Sequence, residues 1–175
     1  MKDLRKIRLL LLDCDGVLTD GEITYGEGQI ESKNFHVHDG LGIKLLLLAG
    51  VEIAVISGRD SEALKKRCED LGITLLFQNT KNKKRKVEEL LEKLQIDWEE
   101  VAVMGDDWND LPMMEMAYFT SAPADCPPDI RKKVDLVTEK SGGRGAVREL
   151  IDVILKARDQ YEKVLEDFFD ILAGS

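Results

Sequence analysis

Ile7-Arg8-Leu9-Leu10-Leu11-Leu12-Asp13-Cys14-Asp15-Gly16-Val17-Leu18-Thr19-Asp20-Gly21 is the stretch around which the chain is organised. Five of its first six residues are apolar, a short continuous run that suits a strand buried on both faces of a parallel sheet. Where the run stops, two carboxylates follow one residue apart. In an extended chain, period-2 geometry sends Asp13 and Asp15 to one side, beyond the strand's C-terminal edge. Open α/β sheets bind their ligands at that edge. Two like charges so close need a neutralising cation, or one carboxyl must hold its proton. Two turn-forming aspartates ahead of a glycine give the same pattern, so this stretch alone fixes no chemistry.

Working outward, strands and helices alternate. Residues 22–35 alternate around Gly26-Glu27-Gly28 and read as a β-hairpin. Leu41 to Ala49 reads as an apolar helix closed by Gly50, and Val51 to Ile56 as a second strand. Asp60 is placed to cap a helix through Leu71, which Gly72 ends. Thr74 to Phe77, Val101 to Met104, Tyr118 to Ser121 and Leu136-Val137 read as further strands. Val87 to Leu94 has helical spacing after the basic run Lys81 to Lys86, and one long amphipathic helix is expected from about Ala146 to about Phe169. The alternation implies an α/β fold, a Rossmann-like parallel sheet with helices on both faces. Residues 1–175 are expected to form a single domain with a small hairpin insert. Only about 18 residues separate Asp20 from Asp39, room for a hairpin but not for a cap domain.

Composition narrows the partners. The chain of 175 residues is 43% hydrophobic and 34% charged, as expected of a globular domain, and its net charge is −9. That charge argues against nucleic acid or an anionic membrane surface as partner. The apolar runs fall well short of the roughly 20 residues of a membrane span. Cys14, Cys68 and Cys126 are odd in number and widely spaced, and no signal-peptide pattern opens the sequence. A reducing cytoplasm is the expected compartment.

Three strand ends carry groups suited to the same chemistry. Asp13 and Asp15 follow the first, Ser57 and Gly58 the second, and Asp106 and Asp107 the third, with Lys83 between them in the chain. In a parallel sheet these tips meet at one edge. Carboxylates without His or Cys favour a hard, oxygen-preferring cation, and Mg²⁺ is the natural choice. A nucleophilic carboxylate, a Mg²⁺ ion, a lysine and a hydroxyl together suit phosphoryl transfer.

These residues resemble the haloacid dehalogenase superfamily of phosphatases. Asp13-Cys14-Asp15-Gly16-Val17-Leu18-Thr19 is similar to its first motif and Val55-Ile56-Ser57-Gly58-Arg59 to its second. Lys83 matches the third, and Gly105-Asp106-Asp107-Trp108-Asn109-Asp110 the fourth. Phe35, Asp39-Gly40, Gly42-Ile43 and Gly142-Gly143-Arg144-Gly145-Ala146-Val147-Arg148-Glu149 resemble its sugar-acid phosphatases, those acting on the 8-phosphate of an eight-carbon acid sugar. The resemblance implies that Asp13 is the nucleophile and that Asp15 is the general acid and base. Asp13, the Asp15 carbonyl and Asp106 would hold Mg²⁺, Ser57 and Lys83 would grip the phosphoryl group, and Gly58, Arg59, Asp39 and Arg144 would contact the substrate. Asp110 is left open between a supporting role and capping a helix. The resemblance also implies a homotetramer.

Three positions depart from the family pattern: Asn79 stands where the family has Gly, Asn82 where it has Asp before the lysine, and Cys14 where an aliphatic residue is usual. Lys83 is selected among Lys81, Lys83, Lys84 and Lys86 by its spacing from Gln78 and Leu90. Other readings stay open at this point. His36, His38 and Asp39 could suggest zinc, although a third His or Cys is missing nearby. A signalling receiver domain has its acids and lysine in a different order. A nine-carbon sugar-acid phosphatase or a non-catalytic assembly domain would share much of the pattern.

Overall fold

The computed structural model describes residues 2–26 and 31–174. Six strands form one sheet in the order β5-β4-β1-β6-β7-β8: β1 (Leu9–Leu12), β4 (Glu52–Ile56), β5 (Leu75–Phe77), β6 (Val101–Met104), β7 (Phe119–Ala122) and β8 (Leu136–Val137). Every pairing in it is parallel. The opening stretch sits at the centre, with Leu9 to Leu12 in register with Glu52 to Val55 on one side and Val101 to Met104 on the other.

Alternation of the β1 leucines builds two cores. Leu10 and Leu12 pack on one face with residues of α1 (Val37–Leu48), α2 (Glu62–Leu71), α6 (Ala146–Ala157) and α7 (Tyr161–Gly174). Leu9 and Leu11 pack on the other with α3 (Lys83–Leu94), α4 (Leu111–Met114) and α5 (Pro128–Arg131). All four leucines are fully buried, which requires a strand covered on both faces.

β2 (Thr24–Tyr25) and β3 (Glu31–Ser32) pair antiparallel as a separate two-stranded unit between β1 and α1. Of the expected turn, Glu27 and Gly28 lie outside the described residues, as do the following Gln29 and Ile30. Several boundaries differ from the sequence reading. α1 begins at Val37, because the His36 side chain accepts a hydrogen bond from His38 N and caps it, so Asp39 lies in its first turn. Ser61, not Asp60, caps α2 through a bond from Leu64 N. α3 starts inside the basic run, where Asn82 accepts from Arg85 N. The single long C-terminal helix is two: α6 stops at Ala157, and Asp159 takes a left-handed φ of 54° before α7.

Candidate active site

Because the sheet is parallel, the ends of β1, β4 and β6 emerge on one edge, and their loops converge. Asp13 leaves β1 with its N–H bonded to the Met104 carbonyl at 3.1 Å, which ties it to the neighbouring strand. Lys83, first residue of α3, reaches in from the helix start. Its Nζ lies 2.6 Å from Asp13 Oδ1 and 2.6 Å from Asp110 Oδ1. All three side chains are buried, Asp110 completely. The other Asp110 oxygen accepts from the backbone N–H of Asp106 at 3.1 Å and of Asp107 at 3.5 Å. Asp110 therefore folds the loop after β6 and fixes the lysine at the same time.

Asp106 completes the cluster. One carboxylate oxygen from each of Asp13, Asp106 and Asp110 lies within 4.8 Å of the others. Such closeness is possible because residue 16 is glycine: a Cβ there would overlap the Asp106 carboxylate, and its φ of 91° is left-handed. Gly142 is similarly required, since any Cβ would run into the Gly16 carbonyl. Oxygen donors alone make up this set, which suits a hard divalent cation.

Electrostatics agree with a site built for a cation. Burial, then repulsion from Asp13 and Asp110, pushes the Asp106 carboxyl up to about 8. Burial and Asp110 push Asp13 up to about 6, with Lys83 opposing. Burial works against the Lys83 charge, yet Asp13 and Asp110 raise its pKa above the ordinary lysine value. The folded protein without metal thus binds protons at Asp106 and Asp13 that the unfolded chain releases near pH 4. Stability must then fall as pH rises from about 4 to about 8, because the folded state holds more protons across that window. We expect the Tm of metal-free protein to drop between pH 5 and pH 8, and added Mg²⁺ to raise Tm more at pH 8 than at pH 5. Thermal melts at both pH values check this; equal metal-induced shifts would refute it.

A cavity of about 210 Å³ opens beside the cluster, lined by Asp13, Asp15, Gly58, Arg59, Asp106, Asp107 and Asn109. Ser57 is buried next to it, its Oγ accepting from Arg59 N at 3.1 Å. Asp15 is partly exposed and contacts Lys33 of the hairpin region. Asn79 adopts a left-handed φ of 52°, a conformation that glycine takes freely and asparagine tolerates. Cys14 is fully buried in the core, and burial pushes its thiol well above the ordinary value.

Two residues expected to contact the substrate, Asp39 and Arg144, do not line this cavity. Asp39 is buried, and its carboxylate accepts from Arg148 N at 2.8 Å and Gly145 N at 3.2 Å, so it fastens α1 to the start of α6. Arg144 is largely exposed and pairs with Asp20 at 3.1 Å, facing a separate groove with His38 and Lys140. His36 and His38 stack edge to face at 4.9 Å, with His36 occupied as the α1 cap. The sequence leaves the role of Asp110 open, and the structure bonds it to Lys83; Glu31 and Lys33 are not assigned from the sequence. Asp110 was signalled only by its place in the fourth motif, and residues 31 and 33 by the alternation of the hairpin.

Comparisons with known proteins agree with the geometry. A family model for haloacid dehalogenase-like hydrolases matches residues 40–117. The 3-deoxy-D-manno-octulosonate 8-phosphate phosphatase of Escherichia coli (strain B / BL21-DE3) is 45% identical over 163 residues, 93% of this chain and 87% of the relative. The Moraxella catarrhalis phosphatase of the same name has been solved in complex with magnesium ion, phosphate ion and KDO. It matches with a TM-score of 0.91 at 36% identity, covering 95% of each chain. The cobalt-bound form of the Haemophilus influenzae deoxy-D-mannose-octulosonate 8-phosphate phosphatase matches with a TM-score of 0.87 at 41% identity, covering 90% of this chain and 92% of that one. The sheet, the acidic edge and these matches define a hydrolase whose acidic triad suits a divalent cation. The chain belongs to the haloacid dehalogenase-like hydrolases, in the branch that holds these sugar-acid phosphatases, and is a phosphoric monoester hydrolase.

Proposed function

We infer that the chain hydrolyses 3-deoxy-D-manno-octulosonate 8-phosphate to the free sugar acid and phosphate, with the phosphoryl group carried transiently on Asp13. The observation that carries this reading is the buried Asp13–Lys83–Asp110 bridge beside Asp106, opening on a cavity that also contains Asp15 and Arg59. The names of the relatives support the choice of substrate.

An Asp13 carboxylate oxygen attacks phosphorus, and the bond to the sugar oxygen breaks. Asp15, two residues on and partly open to the cavity, gives that oxygen a proton and then takes one from the water that hydrolyses the acyl phosphate. Ser57 Oγ donates to a phosphoryl oxygen, and Lys83 supplies a fixed charge once the transferring group draws its ammonium. Asp13, Asp106 and the Asp15 carbonyl would hold Mg²⁺, with Asp110 beside them setting the loop. When bound, Mg²⁺ would offset the charge crowded among the acids and the phosphoryl oxygens. Arg59, on the cavity wall, is assigned to the carboxylate at the far end of the substrate, which a guanidinium can meet with a charge-assisted hydrogen bond. Single-domain organisation and a homotetramer belong to the same reading. Support for self-association comes from the apolar side chains of Phe169, Ile171 and Leu172, each more than half exposed at the end of α7.

A panel of sugar and sugar-acid phosphates, assayed for phosphate release with and without Mg²⁺, tests the assignment. The eight-carbon 8-phosphate is expected to give a kcat/KM at least about tenfold above its nine-carbon analogue, about 1.4 kcal/mol of discrimination. Equal or better turnover of the nine-carbon compound would overturn the substrate.

A further inference from the structure

The hairpin region reaches the cavity through charge. Lys33, whose side chain is 1% exposed, contacts the Asp15 carboxylate and lies 2.9 Å from Glu31 Oε1. The other Glu31 oxygen is 2.5 Å from Arg59 Nη2, which also donates to Tyr25 Oη at 3.1 Å. Arg59 Nε stands 4.0 Å from Asp15 Oδ2, too far for a hydrogen bond. Two cations and two anions thus form a circuit from Asp15 through Lys33 and Glu31 to Arg59 that stays open between Arg59 and Asp15.

Within that circuit Arg59 is paired on one side only. Its Nε is buried and has no hydrogen-bond partner among the described residues. A buried donor left in that state is costly unless an acceptor arrives, and Arg59 is a wall of the cavity. Glu31 is not among the cavity-lining residues and holds only the far nitrogen of the guanidinium. The Glu31 side chain is 14% exposed and that of Arg59 40%, so the pair sits at the cavity mouth with its acidic partner the better covered. Lys33 in turn holds Glu31 from the Asp15 side.

We propose that Glu31 is a positioning residue for substrate recognition: it grips Arg59 Nη2 from the hairpin so that Nε stays available to an anionic oxygen in the cavity. The proposal rests on the reading of Arg59 given above. An unrestrained arginine gives up rotamer freedom on meeting a carboxylate, and Glu31 removes that loss in advance. Glu31 meets no reacting atom, so its effect belongs to KM for substrates that carry a carboxylate.

Steady-state kinetics of Glu31→Ala, Glu31→Gln, Arg59→Ala and the double alanine variant test this, on the eight-carbon sugar-acid phosphate and on p-nitrophenyl phosphate. Glu31→Ala is expected to raise KM for the sugar acid about tenfold, the size of one lost charge-assisted hydrogen bond, with kcat within about twofold. p-Nitrophenyl phosphate, which has no carboxylate, should be hydrolysed as before. Glu31→Gln, which keeps an oxygen able to accept from Nη2, should restore most of the loss. In the Arg59→Ala background, Glu31→Ala should add nothing. A raised KM in Arg59→Ala with an unchanged KM in both Glu31 variants would overturn the proposal and leave the Arg59 reading intact, and so would additive effects. An unchanged KM in Arg59→Ala would overturn both.

Discussion

Asp13→Asn is expected to lower kcat by at least about 10³-fold on every phosphate ester, because the amide cannot attack phosphorus and covalent catalysis is lost as a whole. The rest of the site should survive the change. An asparagine at position 13 still offers an oxygen to Lys83 Nζ, now 2.6 Å away, and still offers one to a cation. Mg²⁺ binding, followed by the metal-induced rise in Tm, should therefore weaken far less than turnover. The metal-free Tm at pH 8 should not fall, since one of three crowded carboxylates has lost its charge. Activity within about tenfold of wild type would remove Asp13 as the nucleophile.

Lys83→Ala should produce the largest combined loss of activity and stability. Lys83 is 3% exposed, and its ammonium is the buried partner of Asp13 and Asp110 at once. Removing one member of such a bridge strands its partners, at a cost of about 3–5 kcal/mol. Turnover should fall by at least about 100-fold as well, because the transferring phosphoryl group loses its fixed charge. Lowering the pH should recover part of the stability, since protonating Asp13 and Asp106 relieves the repulsion that the lysine no longer offsets. Lys81→Ala and Lys84→Ala serve as controls: both residues belong to the same basic run, and neither bonds to the acids. Denaturant unfolding at two pH values, with kcat for all three variants, checks the set; equal losses in the controls would contradict a specific role for Lys83.

How much of this could be read in advance follows the range of the interactions. The four consecutive leucines of β1 announced a strand covered on both faces, because side-chain alternation is a local property of an extended chain. The convergence of Asp13, Ser57, Lys83 and Asp106 followed from parallel topology, which strand–helix alternation already implied. Asp39 shows the limit. Its carboxylate is bound to the backbone of Gly145 and Arg148, more than 100 residues away, so nothing local told a ligand contact from a helix cap. Asp110 was equally ambiguous until Lys83 was seen to bridge it to Asp13. The break between α6 and α7 was hidden because the apolar spacing continues across Arg158-Asp159-Gln160, and no glycine marks the left-handed turn that Asp159 makes there. Glu31 and Lys33 carry no motif, and their role emerges only when the hairpin is seen beside Arg59 and Asp15.

The proposed transfer of the phosphoryl group to Asp13 is tested most directly by the Asp15→Asn variant with p-nitrophenyl phosphate. Nitrophenolate leaves without needing a proton, whereas hydrolysis of the acyl phosphate still needs the base that this variant lacks. A burst of about one nitrophenolate per active site is expected, followed by slow turnover. Borohydride reduction of the stalled enzyme, followed by peptide mass spectrometry, should then find the reduced side chain at position 13. Nitrophenolate release without a burst, with position 13 unmodified or the reduced carboxylate at another aspartate, would contradict it.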